Sequence, residues 1–365
     1  MTYRKRYLIS VCTCAMSVIV FVAIPKAVTA QGNRDPRYQT RTSDCRHEPP
    51  PGTKLLIRRF DSGITKRGYS AERVLTQSAA AVRIKGGDIV VCTEYGRVEI
   101  ADSDDDQVRL QIRMEGNGEG SLDPAEAAAR VIEDTKLHTF MTVDQGRLMV
   151  RVWHSTLGFS SPGAQPVWVG VRLLVPARGP YRITTEAFHG AVVIRRLTLA
   201  GATMRGNVGE KYKGIAGFIG STELDNVVLT GDVDINNLVG LPGIRAPVPA
   251  NLANSAAPIL VKARAGSSCR IKVVTGGDIN IVIQPAPDVG VKALGESNSG
   301  RLAIGLDGGE AEEAPGDSTF NNRGLVTTAG YDSRPIKVEV HASTTTGSVN
   351  IASIPAAPLA PVVRP

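Results

Sequence analysis

The apolar positions of this chain fall into short alternating phrases, each headed by a glycine. In GDVDINNLVG, residues 231 to 240, Val233 and Ile235 stand two and four places after Gly231, with Asp232 and Asp234 in the gaps. Eight segments share this form: GDIVV at Gly87, GRVEI at Gly96, GRLMV at Gly146, GAVVI at Gly190, GDVDI at Gly231, GDINI at Gly277, GRLAI at Gly300 and GSVNI at Gly347. Partial versions begin at Gly206 and Gly217. Successive side chains of an extended segment point to opposite faces, so the second and fourth positions share an aliphatic face and the polar positions share the other. Glycine at the head permits a corner that a Cβ would obstruct, and Asn236 and Asn237 at the far end are turn formers.

One such phrase buries too little to stand alone, and stacking the phrases covers the aliphatic face. The pattern predicts an all-β fold: a right-handed β-solenoid-like stack of short glycine-headed strands with one short helix. Intervals between phrases run from 9 to 50 residues, so long excursions and degenerate rungs are expected. An ordinary β-sandwich with glycine turns is the competing architecture. The helix signal is SLDPAEAAARVIED, residues 121 to 134, with Asp123 as N-cap, Pro124 at the first helical position and Glu126 three residues after the cap. Aromatic residues make up 5% of the chain against 38 glycines, which leaves the core to Val, Ile and Leu and suits thin stacked layers.

The ends differ from the middle. Arg4, Lys5 and Arg6 precede an apolar run from Tyr7 to Ile24, then Pro25 and the small residues AVTA ending at Ala30. This order reads as a cleavable signal peptide over 1–30, with a retained membrane anchor as the other reading. Residues 31–53 form a polar, proline-rich leader, 54–352 the β-solenoid-like domain, and 353–365 a proline-rich tail. Loss of the leader peptide leaves 38 basic residues against 35 acidic ones, scattered rather than clustered with aromatics, which argues against nucleic acid as a partner. Membrane contact is expected only through the signal segment where it stays uncleaved.

Three cysteines follow the signal peptide. Cys269 alternates with Ile271 and Val273 and reads as a buried thiol, which leaves Cys45 and Cys92 as the candidate disulfide in an oxidising compartment. No cysteine or histidine spacing resembles a zinc site, and no nucleophile elbow, phosphate loop or HExxH pair occurs, so no catalytic residue, metal or cofactor is assigned. The acidic run ADSDDD, residues 101 to 106, lacks the glycine and distal acid of a calcium loop and reads as a solvated turn. Asp88, Asp232, Asp234 and Asp278 occupy outward positions. Aligned in register beside Arg264 or Arg270 they would suit a carbohydrate-active enzyme; dispersed, they solubilise the sheet and guard its edges. Trp153 and Trp168 read as sheet packing, and His154 and His189 as isolated structural histidines.

The passage VRLLVPARGPYRITTEAFHGAVVIRRLTL, residues 171 to 199, continues through GDVDINNL to VVTGGDINIVI. It resembles the bacterial DUF4097 adhesin family, in which a strand ends in Val-Pro, a threonine-rich strand follows, and Gly-Asp-Ile/Val phrases come in series. The resemblance covers residues 80 to 352 and is best from 171 to 285. It is broken at IRAPVPANLANSAAP, residues 244 to 258, and at the acidic loop near GGEAEEAPGD. It implies a toastrack-type β-solenoid at the cell envelope or surface, with no established enzymatic activity and no catalytic residues to carry over.

The expected function is a non-enzymatic envelope or surface scaffold that presents a repetitive sheet face to polysaccharide or to a protein partner. A calcium-assisted lyase on the same architecture and an envelope-stress sensing module are the alternatives. Intact mass and N-terminal sequence of the protein recovered from its own cells should place the first residue near Gln31; a chain that keeps Tyr7 to Ile24 would favour the anchored sensor.

Overall fold

The computed structural model describes residues 62–79, 84–105, 107–119, 121–156, 167–177, 179–206, 221–237, 258–314 and 319–353. The signal peptide, the leader with Cys45, the insertion 244–258 up to Pro258 and the tail beyond Ser353 lie outside the described residues. Each turn of the chain lays one strand on each of two sheets. In spatial order the eight rungs are β7 (Arg147–Thr156) with β8 (Trp168–Pro176), β3 (Gly87–Tyr95) with β4 (Val98–Ser103), β9 (Tyr181–His189) with β10 (Val192–Arg195), and β11 (Thr198–Gly206) with β12 (Thr222–Leu229). They continue as β13 (Val233–Asn236) with β14 (Ile259–Ala265), β15 (Cys269–Thr275) with β16 (Ile279–Gln284), β21 (Ile336–Thr344) with β22 (Val349–Ser353), and β17 (Val289–Ser297) with β18 (Leu302–Gly305).

The first-named strands pair in parallel as sheet A. The second-named strands pair in parallel as sheet B. The sheets meet at a corner where Thr198 and Leu199 of β11 pair with Val228 and Leu229 of β12. Register aligns the aliphatic positions into rows, one of which runs Leu173, Ile100, Ile194, Leu224, Val261, Ile281, Ile351, Ile304 across sheet B. All but the last are fully buried. The inward pair predicted for each glycine-headed phrase is buried in seven of the eight; Leu302 and Ile304 of β18, at the end of the stack, are half-exposed.

Chain order and spatial order part at both ends. The first rung in sequence, β3 with β4, lies second in space, because β7 and β8 stack outside it and β9 returns to its inner side. At the other end β21 and β22 insert between β15/β16 and β17/β18, so the last described strand is an interior one.

The corners explain the glycines. A Cβ built on Gly190, whose φ is +146°, would overlap the carbonyl oxygen of Gly96, and one on Gly300 would overlap that of Gly347, which in turn lies against Gly277. Backbone stacks on backbone at one strand spacing, about 4.8 Å, and no side chain fits between. Gly146 differs: it follows Gln145 in the two-residue hairpin between β6 (Thr135–Asp144) and β7, with φ of 48° and 80°, the geometry of a twist-compatible turn. It heads a strand but is not a rung corner.

A column of hydroxyls closes the same corner line. Thr344 Oγ1 donates to the carbonyl of Gly277 (2.8 Å) and accepts from the N–H of Gly347 (3.1 Å). Ser297 Oγ donates to the carbonyl of Gly347 (2.9 Å) and accepts from the N–H of Gly300 (2.8 Å). Thr275, aligned with both, accepts from Gly277 N–H (3.3 Å). At these three corners the glycine N–H is satisfied by a hydroxyl two or three residues upstream, and the carbonyls of Gly277 and Gly347 by a hydroxyl of the neighbouring rung.

The first end is capped by antiparallel strands and the helix. β6 covers β7 in sheet A, while β5 (Val108–Asn117), β2 (Ser70–Ala79) and β1 (Thr65–Arg67) extend sheet B beyond β8. The helix α1 (Pro124–Asp134) leads from β5 to β6 and buries Ala128, Ala129 and Ile132; Asp123 Oδ1 accepts from Glu126 N–H (3.2 Å), as its sequence predicts. Gly116 and Gly118 lie so close to the helix backbone that a Cβ on either would collide with it. At the other end β20 (Asn322–Thr328) and β19 (Gly309–Glu312) extend sheet A beyond β17. Tyr181, fully buried, ties the β8–β9 connection by donating to the carbonyl of Pro176 (2.7 Å), and burial pushes its phenol pKa well above the ordinary value.

Gly190→Ala should lower the unfolding free energy by about 3 kcal/mol or more through overlap and positive φ together, whereas Gly63→Ala, which meets no atom within 4 Å, should change it by less than about 1 kcal/mol. Urea unfolding of the two variants side by side checks this.

Candidate functional site

The outward positions of the rungs form two faces of different chemistry. On sheet A, register brings Asp88 beside Arg182, Asp234 beside Lys272, and Glu339 between Arg270 and Lys292. Ion pairs link Arg270 with Glu339 (3.2 Å), Arg147 with Asp88 (3.6 Å) and Lys292 with Glu312 (3.4 Å). Unlike charges therefore alternate across the strands, an arrangement that favours the observed register and disfavours a slip. The second to fifth rungs of sheet B continue it, with Arg195 on Glu223 (3.4 Å), Lys262 on Asp225 (3.6 Å) and Arg196 on Asp102 (2.6 Å). Asp105 caps the N–H of Gln107 and pairs with Arg109, so the acidic turn is held by local bonds; those hydrogen bonds and the Arg109 charge bring its pKa below the usual carboxylate value, although desolvation, the largest single effect, acts upward.

The outward aspartates are placed apart. Asp88 and Asp234 are in sheet A on non-adjacent rungs, while Asp278 leads into sheet B. Asp232 Oδ1 accepts from the N–H of Arg270 on the next rung (2.8 Å), and Asp278 Oδ1 accepts from the N–H of Ser348 (2.7 Å). Ser348 Oγ repeats the bond to Arg301 N–H (3.2 Å). The phrases at Gly231, Gly277 and Gly347 thus carry a corner glycine followed by an acceptor for the neighbouring rung. The aligned carboxylates that a lyase would need are not formed by these four residues, and Arg264 lies on β14 in sheet B, away from Arg270 on β15 in sheet A.

The aromatic and histidine candidates are equally dispersed. Trp153 of β7 is stacked by His138 of β6 at 4.8 Å, Trp168 is 36% exposed where β8 begins, and the side chains of His154 and His189 lie outside the described residues. Among the described residues no group of three or more potential metal ligands gathers. Cys92 is disulfide-bonded, whereas Cys269 is a buried free thiol whose pKa burial pushes up to about 11, the negative charge of Asp232 adding to the effect.

One cluster escaped sequence reasoning because its members come from three strands. Glu296 of β17, almost fully buried, takes Arg323 of β20 on Oε1 (3.1 Å) and His341 and Ser343 of β21 on Oε2 (both 3.0 Å). Ser343 Oγ also lies 3.2 Å from the same imidazole nitrogen, Nε2. A nucleophile relay needs acid and hydroxyl on opposite nitrogens; here both meet one, and the cluster instead pins β20 to the stack. Its partners are 27 to 47 residues apart, with no local motif to announce them.

The face of sheet B over β16, β22 and β18 has another character. Asn280, Val282 and Gln284 of β16, Asn350 and Ala352 of β22, and Ala303 and Gly305 of β18 point outward, and none carries a charge. Asn350 Nδ2 donates to Asn280 Oδ1 (3.1 Å), which fixes the amides as a ladder across neighbouring rungs. The result is a shallow surface of small side chains and amides, with both hydrogen-bond donors and acceptors at strand spacing.

Among the described residues, fold and faces define an all-β, solenoid-like stack with one short α-helix. No family model matches the chain, and no curated protein matches it. Among solved structures it is similar to a "putative cell adhesion protein" from Clostridium sporogenes, with 10% identity over 78% of this chain and 100% of that one and a TM-score of 0.36. A "putative adhesin" from Bacteroides fragilis gives 12% identity, 77% and 97% coverage and a TM-score of 0.20. A "putative lipid binding protein" from Parabacteroides distasonis gives 8%, 77% and 96%, and 0.20.

Asp278→Ala should cost about 1 kcal/mol by leaving the Ser348 N–H without its side-chain acceptor, while Asp278→Asn, which keeps an acceptor oxygen, should cost less than half of that. Chemical denaturation of both variants measures the difference.

Proposed function

We propose that this chain is an exported, non-catalytic protein of the cell envelope or surface, a scaffold of adhesin type that holds polysaccharide against the uncharged face of sheet B. The observation that carries the reading is the even spacing of outward Asn280, Asn350 and Ala303 on consecutive rungs, in a patch free of charged side chains. Amides bond sugar hydroxyls as donors and as acceptors, and the small residues between them let a chain approach the sheet closely. Several equivalent weak contacts add along one polymer, so no single residue needs to dominate. Elsewhere on the two sheets, ion pairs such as Arg270 with Glu339 and Lys262 with Asp225 hold rung against rung. The basic start followed by an apolar run, residues 4 to 24, supports export, and the engagement of Asp232 and Asp278 in bonds to the backbone of the next rung supports binding without cleavage.

Incubating the mature chain with a panel of envelope and extracellular polysaccharides, with and without calcium, and measuring bound glycan and released fragments together tests this. Retention without fragments is expected, falling at least tenfold in the Asn280→Lys, Asn350→Lys double variant while its melting temperature stays within a few degrees of the parent. Fragments that depend on Asp232, Asp234 or Asp278 would replace binding with catalysis. Retention unchanged by the double variant would move the ligand to another face.

A further inference from the structure

Four strands make up the two terminal rungs, and three are covered by an antiparallel neighbour: β7 by β6, β8 by β5 and β17 by β20. The fourth, β18, pairs only with β22 among the described residues. Val349 N–H bonds to the carbonyl of Arg301 (2.8 Å), and in a parallel ladder that phase turns the peptide groups of Ala303 toward β22. The N–H and C=O groups of Leu302 and Ile304 consequently face the open edge.

Sheet A runs on for two strands past this edge, through β20 and β19, so the end of the molecule has a step. The floor is the inner side of those strands. A Cβ on Gly324 would meet Leu302 and Ile304, and beyond it Val326 is half-exposed and Ala311 exposed, although both hold inward positions that are buried on interior rungs.

We infer that β18 and this step form a strand-acceptor site, filled by an extended peptide segment of another polypeptide that carries aliphatic side chains at alternate positions and basic residues near one end. Main-chain bonds to Leu302 and Ile304 would supply affinity, and the apolar floor would read every second side chain, the logic of strand addition to a sheet edge. The basic end follows from the turn that leaves β18, where Asp307 is exposed at the border of the step. A second copy does not fit. Two molecules joined β18 to β18 would stand one strand spacing apart, about 4.8 Å, while each sheet A overruns by two strands and would occupy the other's place.

The test uses the mature chain and a synthetic peptide, KINIVIQK, which is the β16 sequence INIVIQ flanked by lysines. Saturable binding by fluorescence anisotropy is expected, with hydrogen–deuterium exchange of residues 301–306 slowed at least tenfold. A peptide N-methylated at alternate amides to block the ladder should fail to bind, and Val326→Lys should weaken binding at least tenfold. Exchange at 301–306 that is unaltered by saturating peptide, equal binding of the N-methylated peptide, or an edge already protected without peptide would each overturn the inference, whether or not the variant folds.

Discussion

Backbone lies directly on backbone at the rung corners, and most of the architecture follows from that contact. The carbonyl of Gly96 occupies the place where Gly190 would carry a side chain, and Gly277, Gly347 and Gly300 repeat the arrangement at the other end. A corner so tight leaves no side chain of its own to satisfy its peptide groups, so hydroxyls from Thr344 and Ser297 reach in from the strand before, and Asp278 and Ser348 reach across from the rung beside. At Gly277 and Gly347, glycine, upstream hydroxyl and downstream acceptor form one unit, and at Gly300 the hydroxyl of Ser297 plays the same part.

A stack of this kind has two ends at which paired strands give way to unpaired ones, and an edge left flat invites further copies. The chain order offsets this. Because β21 and β22 slot between rungs made earlier in the sequence, the last described strand is locked on both sides, and the spatially terminal rung is followed by more chain that folds back as β19 and β20. The Glu296–Arg323 pair fastens that return. Burying those charges is costly unless every partner is present, and the carboxylate here has Arg323, His341 and Ser343 around it. At the first end apolar burial does the fastening instead, with Ala128, Ala129 and Ile132 of α1 packed over close-approach glycines.

Local pattern carried much of this into the sequence. Val233 with Ile235, or Ile279 with Ile281, announces its face by alternation, and Asp123 followed by Pro124 announces the helix start, because both signals depend only on neighbours a few residues away. Gly146 satisfies the same pattern as Gly190 yet makes a hairpin, since the feature that separates them is the positive φ of Gln145 beside it. Rung order was hidden for a different reason: β9 has equivalent aliphatic faces to choose from, and the selection of β3 rather than β7 rests on three-dimensional closure. The outward aspartates were legible as polar positions, while their use as acceptors for the next rung depends on the partner 38 or 70 residues on.

Charge on this molecule is largely spent on register, and that narrows where recognition can reside. Arg270, Glu339, Asp225 and Lys262 face one another across strands, so a ligand that took one would leave its partner uncompensated. The uncharged face over β16, β22 and β18 carries no such obligation, and it ends at the open edge. Ala303 and Gly305 look out onto that face while Leu302 and Ile304 turn their peptide groups to the edge, so one four-residue strand serves both surfaces. A strand added to β18 would lengthen each outward row by one position. A polymer lying across the rungs would then meet a longer ladder, and edge and face would strengthen each other without any change in the rungs beneath them.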